Sequence, residues 1–189
     1  IVIDVQSGKV IYSERATDPW YPASITKLMT VYVSLKAVRD GRAKMDQLLT
    51  VSAQAAAQKP SKMGFKPGTQ IRLDNALKII MVKSANDVAA TIGENLGGSI
   101  EGFSAMMNSA AREIGMQESY FVNPHGLPDE RQRVSARDMA ILGRALLREF
   151  PEQSDLFQIG AIQMGKRVMR NHNGLIGRYP GADGMKTGF

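Results

Sequence analysis

Tyr21-Pro22-Ala23-Ser24-Ile25-Thr26-Lys27-Leu28-Met29-Thr30 is the stretch on which the reading of this chain turns. Ser24 and Lys27 stand three residues apart, so a helix places them on one face, one turn from each other. A hydroxyl and an amine held that way form a nucleophile and its base without any histidine. The pair alone is weak, because roughly one Ser-x-x-Lys arises by chance in a chain of this size. Its setting is stronger. Pro22 suits a segment just before a helix start. Ile25, Leu28, Met29, Val31, Tyr32, Val33, Leu35, Ala37 and Val38 follow, up to Gly41. That pattern predicts a helix over about 24–39 that is apolar around most of its circumference, hence buried. Ser24 falls in its first turn, where free N–H groups and the helix dipole favour developing negative charge. Polar side chains at the end of a buried rod are either paired or functional.

Outward from this stretch, composition narrows the possibilities. The 189 residues are 43% hydrophobic and 22% charged, which fits one globular domain over 1–189. No repeat, low-complexity segment or membrane-length apolar run is present. With no cysteine there are no disulfides, thiolate metal sites or cysteine nucleophiles. Only His125 and His172 are available, so a multi-histidine metal centre is disfavoured, and no metal or cofactor is expected. The net charge of +6 is spread rather than clustered with aromatics, which argues against nucleic acid as a partner. The 11 methionines read as core gap-fillers.

Residues 1–5 and 10–14 read as an antiparallel hairpin. Short strands are expected at 48–52 and 70–73, with a loop at 59–69 and Asp74 as the cap of a helix through Val82. Helices follow at 86–96 and 99–114, and another opens at the capping arrangement Ser135-Ala136-Arg137-Asp138. Strands near the ends with helices between them predict a mixed α/β (α+β) domain with an antiparallel sheet.

Two further triplets change the odds for Ser24 and Lys27. Ser84-Ala85-Asn86 lies at a break between two apolar helices, where a simple helix cap is the bland alternative. Lys186-Thr187-Gly188 follows Gly181-Ala182-Asp183-Gly184-Met185 and by itself reads as a polar turn. All three triplets in this order arise by chance in roughly a few chains per thousand.

In this order the triplets resemble those of the penicillin-recognising serine acyltransferases. Within them the chain is most similar to the low-molecular-mass D-alanyl-D-alanine carboxypeptidases, peptidase family S11. The similarity covers residues 22–30, Ser84-Ala85-Asn86-Asp87, Asn123-Pro124-His125-Gly126-Leu127, residues 135–140 and residues 183–188. The resemblance implies a β-lactamase/transpeptidase-like fold, an antiparallel sheet flanked by helices with an all-helical subdomain.

Acyl transfer needs a nucleophile, a base, a proton donor for the leaving amine and an oxyanion site. Ser24 is the expected nucleophile. Lys27 is the expected base, made neutral by burial and by Lys186 as a nearby cation. Ser84 is expected to pass a proton to the leaving group. Asn86 can donate to a substrate carbonyl and hold Lys27, while Lys186 and Thr187 can bind a carboxylate. Gly188 lets substrate backbone come close. The family's arrangement implies an oxyanion hole from the backbone N–H groups of Ser24 and Phe189. His125 is expected to be structural, and His172 to border the cleft or lie on the surface.

The implied substrate is a peptidoglycan stem peptide ending in D-Ala-D-Ala, with β-lactams as covalent inhibitors. The implied location is the periplasm or the extracytoplasmic face of the bacterial inner membrane. A D,D-endopeptidase is the alternative, on the strength of Phe189 after Lys-Thr-Gly. A class A β-lactamase is disfavoured, because no Glu-x-x-Leu-Asn lies between the second and third triplets. The family's catalytic strand continues into further strands and a helix, and many members add a β-rich domain and an amphipathic anchor. The native protein is therefore expected to continue past Phe189, and any membrane association to rest on that continuation.

Overall fold

Helix α1 (Lys27–Arg39) is the axis of the structure, and ten of its thirteen residues are buried. This computed structural model describes residues 1–188. The apolar circumference read from the sequence is what allows α1 to be surrounded: it touches α3 (Leu73–Val82), α4 (Asn86–Gly97), α5 (Ile100–Glu113) and α6 (Ala136–Glu149). Helix α4 in turn packs between α3 and α5. Met29, Leu77, Ile80, Ile92, Phe103 and Phe121 meet in one core, each fully buried. Each such side chain contributes about 1.5–3 kcal/mol relative to exposure.

The strands form three antiparallel pairs that remain separate among the described residues. Strand β1 (Val2–Ile3) pairs with β2 (Val10–Tyr12), β3 (Leu48–Thr50) with β4 (Gln70–Arg72), and β5 (Ala161–Met164) with β6 (Arg167–Arg170). The expected single sheet is thus present as ribbons. The first of them leaves Val2, Val10, Ile11 and Tyr12 exposed. Short helices α2 (Ala53–Ala56) and α7 (Asp155–Gln158) complete the elements.

Local chemistry sets the boundaries. The Ser99 and Ser135 hydroxyls accept from the Gly102 and Asp138 N–H groups and open α5 and α6 as caps. Asp74 is not a cap: α3 begins at Leu73, and Asp74 lies inside its first turn, bonded to Arg72 and to its neighbour's N–H. A carboxylate there complements the helix dipole equally well. Ser24 also differs in detail. It sits in a 3-10 turn, Ala23–Thr26, that runs into α1 rather than in the α-helix itself. Ala23 enters that turn at φ +46°.

Candidate active site

Lys27 is the first residue of α1 and is completely buried. An isolated ammonium in such a place is costly, so its partners decide its state. Its Nζ lies 3.1 Å from Ser24 Oγ, 2.8 Å from Asn86 Oδ1 and 2.6 Å from the His125 carbonyl oxygen. A neutral amine has two N–H groups and one lone pair. The amide and carbonyl oxygens accept only, so they take the two N–H groups. The lone pair is then left for the Ser24 hydroxyl. Burial, and secondarily the charge of Lys186, lower the Lys27 pKa to about 7.

Each of these partners is itself tied down. Asn86 opens α4, and its Nδ2 donates to the Lys59 carbonyl at 2.9 Å, so its oxygen faces Lys27. That amide orientation follows from the bonding network. The loop bearing His125 is held by Asn123, whose Oδ1 accepts from the Gly126 N–H at 2.7 Å. It is also held by Thr30, whose hydroxyl donates to the Pro124 carbonyl at 2.6 Å. Gln132 Oε1 accepts from the N–H groups of Val122 and Asn123. Gly126 has φ +86°, and a Cβ there would run into the Ala23 carbonyl. Only glycine lets the loop come so close to the turn that carries Ser24. The His125 ring accepts from the Leu127 N–H through Nδ1 at 3.1 Å, and burial followed by the Lys27 charge holds its pKa down to about 3. The ring is therefore neutral, and the residue contributes to the site through its carbonyl.

Ser84 also departs from the bland alternative. Ala85, not Ser84, caps α4, and Ser84 stands at φ +58°. Its Oγ is buried without a hydrogen-bond partner among the described residues, while its residue lines the cleft. Backbone strain and an unsatisfied hydroxyl at one residue are a combination that clusters at functional sites.

Lys186 and Thr187 supply the facing wall. Burial lowers the Lys186 pKa to about 8, and its Nζ donates to the Thr187 carbonyl at 2.9 Å. Gly188 lies against the turn that carries Ser24, since a Cβ there would stand 2.9 Å from Ile25 Cγ1. Phe189, the proposed second oxyanion donor, lies outside the described residues. Ser24, Ser84, Asn86, Lys186 and Thr187 line one cleft of about 790 Å³, while Lys27 sits beneath its floor.

Other lining residues carry no side-chain signature in the sequence. Pro60 and Ser61 form part of one wall and Gln132 part of another. The His125 carbonyl is a backbone atom, invisible to a search for reactive side chains. His172 borders the cleft, and burial, then Lys186 and Lys83, lower its pKa. A buried hydroxyl–amine pair, a second hydroxyl and a cationic wall around one cleft suit attack on a carbonyl in a substrate that carries a carboxylate.

The family model described as D-alanyl-D-alanine carboxypeptidase matches residues 1–189. The D-alanyl-D-alanine carboxypeptidase DacF of Bacillus subtilis (strain 168) is 34% identical over 193 residues, covering 100% of this chain and 50% of that protein. Penicillin binding protein 5 from Haemophilus influenzae superposes with a TM-score of 0.91 at 32% identity, over 98% of this chain and 55% of that one. Penicillin-binding protein D2 from Listeria monocytogenes, in its cefotaxime-bound form, superposes at 0.86 with 27% identity, over 99% of this chain and 76% of that one. The chain spans about half the length of the curated relatives it matches.

Proposed function

This chain belongs to the D-alanyl-D-alanine carboxypeptidase family, with its β-lactamase/transpeptidase-like fold, and from that premise we propose that residues 1–189 carry a serine D,D-carboxypeptidase site. The substrate is a peptidoglycan stem peptide ending in D-Ala-D-Ala. The observation that carries the reading is the bond set of Lys27, which leaves its lone pair for Ser24.

Ser24 Oγ attacks the carbonyl of the penultimate D-Ala while Lys27 takes the hydroxyl proton. The tetrahedral intermediate collapses, the C–N bond breaks, and the proton passes through Ser84 to the departing amine of the terminal D-Ala. Asn86 orients the substrate, Lys186 and Thr187 hold its terminal carboxylate, Gly188 admits its backbone, and the backbone N–H groups of Ser24 and Phe189 receive the oxyanion. Water then attacks the ester at Ser24, with Lys27 again as base, and releases the shortened peptide. A β-lactam forms the same ester by ring opening, and its amine stays tethered. The cefotaxime-bound relative supports this inhibitor class. Such a substrate places the protein on the extracytoplasmic side of the membrane, the periplasm where there are two membranes. Among the described residues no helix is long and apolar enough to cross a membrane.

The test is mass spectrometry after penicillin treatment. The expected result is a covalent increment on the peptide containing Ser24, absent in Ser24→Ala. No increment on folded protein overturns the proposal. Release of D-Ala from a free pentapeptide, faster than cleavage of a cross-linked dimer, separates it from the endopeptidase alternative, which rested on Phe189.

A further inference from the structure

Asp87 follows Asn86 in the first turn of α4 and is 1% exposed, yet no step of the reaction uses it. Its carboxylate faces backbone N–H groups. Oδ1 accepts from Met63 at 3.0 Å and from Val88 at 2.9 Å, and Oδ2 accepts from Met63 at 3.0 Å and from Gly64 at 2.8 Å. A carboxylate is an acceptor-only group, and this is the donor set it needs when buried. Two of the three donors belong to the loop over 59–64, more than twenty residues upstream. The side chain therefore ties that loop to the start of α4.

The tied loop is one wall of the cleft, through Pro60 and Ser61. It is also what orients Asn86. The Lys59 carbonyl accepts from Asn86 Nδ2, and the Ser61 carbonyl accepts from the Asn86 N–H at 2.7 Å. The Ser61 hydroxyl closes the loop from the other side by donating to the Lys83 carbonyl at 3.1 Å. A continuous path thus runs from Asp87 through the 59–64 loop to Asn86 Oδ1 and on to Lys27 Nζ.

We propose that Asp87 is a positioning residue for the general base. It clamps the 59–64 loop so that Asn86 presents oxygen to Lys27 and water is kept from the amine. The inference rests on the acyl-transfer reading of the site. The charged and titratable groups facing Lys27 are Lys186 from the C-terminal segment and His125 from its loop, and neither contacts Asp87.

The test uses the whole chain and two readouts, the titration of Lys27 followed by NMR of labelled lysine and the rate of acylation by penicillin. Asp87→Asn points an amide N–H₂ at backbone N–H donors and releases the loop. Water then reaches Lys27, and because burial is the main cause of its lowered pKa, the midpoint moves up by about one unit. Acylation at neutral pH slows by about ten- to hundredfold. Asp87→Glu, which keeps an acceptor-only carboxylate, restores part of both. In an Asn86→Ala background Asp87→Asn adds little, because the path is already cut. A folded Asp87→Asn protein with unchanged Lys27 titration overturns the proposal. So does a rate loss that is fully additive with Asn86→Ala. If Asp87→Asn fails to fold, Asp87→Glu and Asn86→Ala carry the same titration test. Absence of any penicillin adduct in the unsubstituted protein would instead count against the acyl-transfer reading and leave the Lys27 titration as the judge of the clamp.

Discussion

The two walls of the cleft are built differently. On the helical side, Lys27, Asn86 and the His125 loop are buried, and each polar atom that orients them has a named partner. On the other side, Lys186 bonds, among the described residues, to its neighbour's carbonyl alone, and Gly188 lies against Ile25 in the turn that carries Ser24. The first wall is over-determined by packing and hydrogen bonds. The second meets it by close approach of one glycine. On the proposed reading, geometry for proton transfer resides on the helical side, and charge for the substrate's carboxylate on the other.

The sharpest way to break this contrast is at Lys27. Lys27→Met keeps an apolar-tolerant stem in a buried site but removes the base. Acylation by penicillin should fall by about a thousandfold or more. In the unsubstituted protein the rate should drop as pH falls through about 7, because protonated Lys27 cannot accept the Ser24 proton. Stability has the opposite bookkeeping from a paired lysine. The folded pKa lies below the ordinary lysine value of 10.5, so between about 7 and 10.5 the unfolded chain binds a proton that the folded chain does not. Stability should rise with pH through that window, and Lys27→Met should flatten the rise. Denaturant titrations at pH 7.5 and 9.5 measure it.

Next in size is a glycine on the rigid wall. Gly126→Ala drives a Cβ into the Ala23 carbonyl from a backbone at φ +86°. Backbone cannot yield as a flexible side chain can, so the cost is about 3 kcal/mol or more. A melting curve within a degree or two of the unsubstituted protein would show that the loop is not held as described.

How much of this was legible beforehand differs between the walls for the same physical reason. Helix α1 announced itself through its unbroken apolar run, and the Ser135 cap through residue type. The Ser24–Lys27 approach followed from helical spacing, although Ser24 occupies a 3-10 turn. Among the described residues three antiparallel ribbons stand where one sheet was expected: the hairpin of β1 and β2 was read from its two apolar runs, whereas the other strands, three or four residues long, carry too little alternation to reveal their pairing. Asp74 looked like a cap because a carboxylate suits the cap and the first turn alike. The contribution of His125 was hidden, because its carbonyl is common to every residue and only the turn around Gly126 aims it. Ser84 was legible as a motif, but its strain and unpaired hydroxyl were not.

On the facing wall, Lys186→Met should cost less than Lys27→Met. Loss of the carboxylate's counter-charge slows acylation by about ten- to hundredfold, mostly in KM for a carboxylate-bearing substrate. The charge of Lys186 also helps to depress the Lys27 pKa, so its removal should move the acid limb of the rate to higher pH, toward the limb of a more exposed lysine. An unmoved limb would separate the two walls electrostatically.

The smallest expected effect tests the seam itself. A Cβ on Gly188 would sit 2.9 Å from Ile25 Cγ1, 3.1 Å from its Cδ1 and 3.4 Å from the Pro22 carbonyl oxygen. The two nearest atoms belong to a side chain that can rotate, and Ile25 is only half-buried. Gly188→Ala should therefore fold and cost less than about 1 kcal/mol. Yet the same displacement pushes Lys186 and Thr187 away from Ser24, and acylation depends on that spacing far more steeply than stability does. A rate loss of about two- to tenfold at nearly constant stability would show that the seam sets geometry rather than holds the fold. Gly188→Ala combined with Ile25→Ala, which removes both obstructing atoms, should recover most of the rate. If the pair recovers nothing, the contact between Gly188 and Ile25 is not what brings the two walls together.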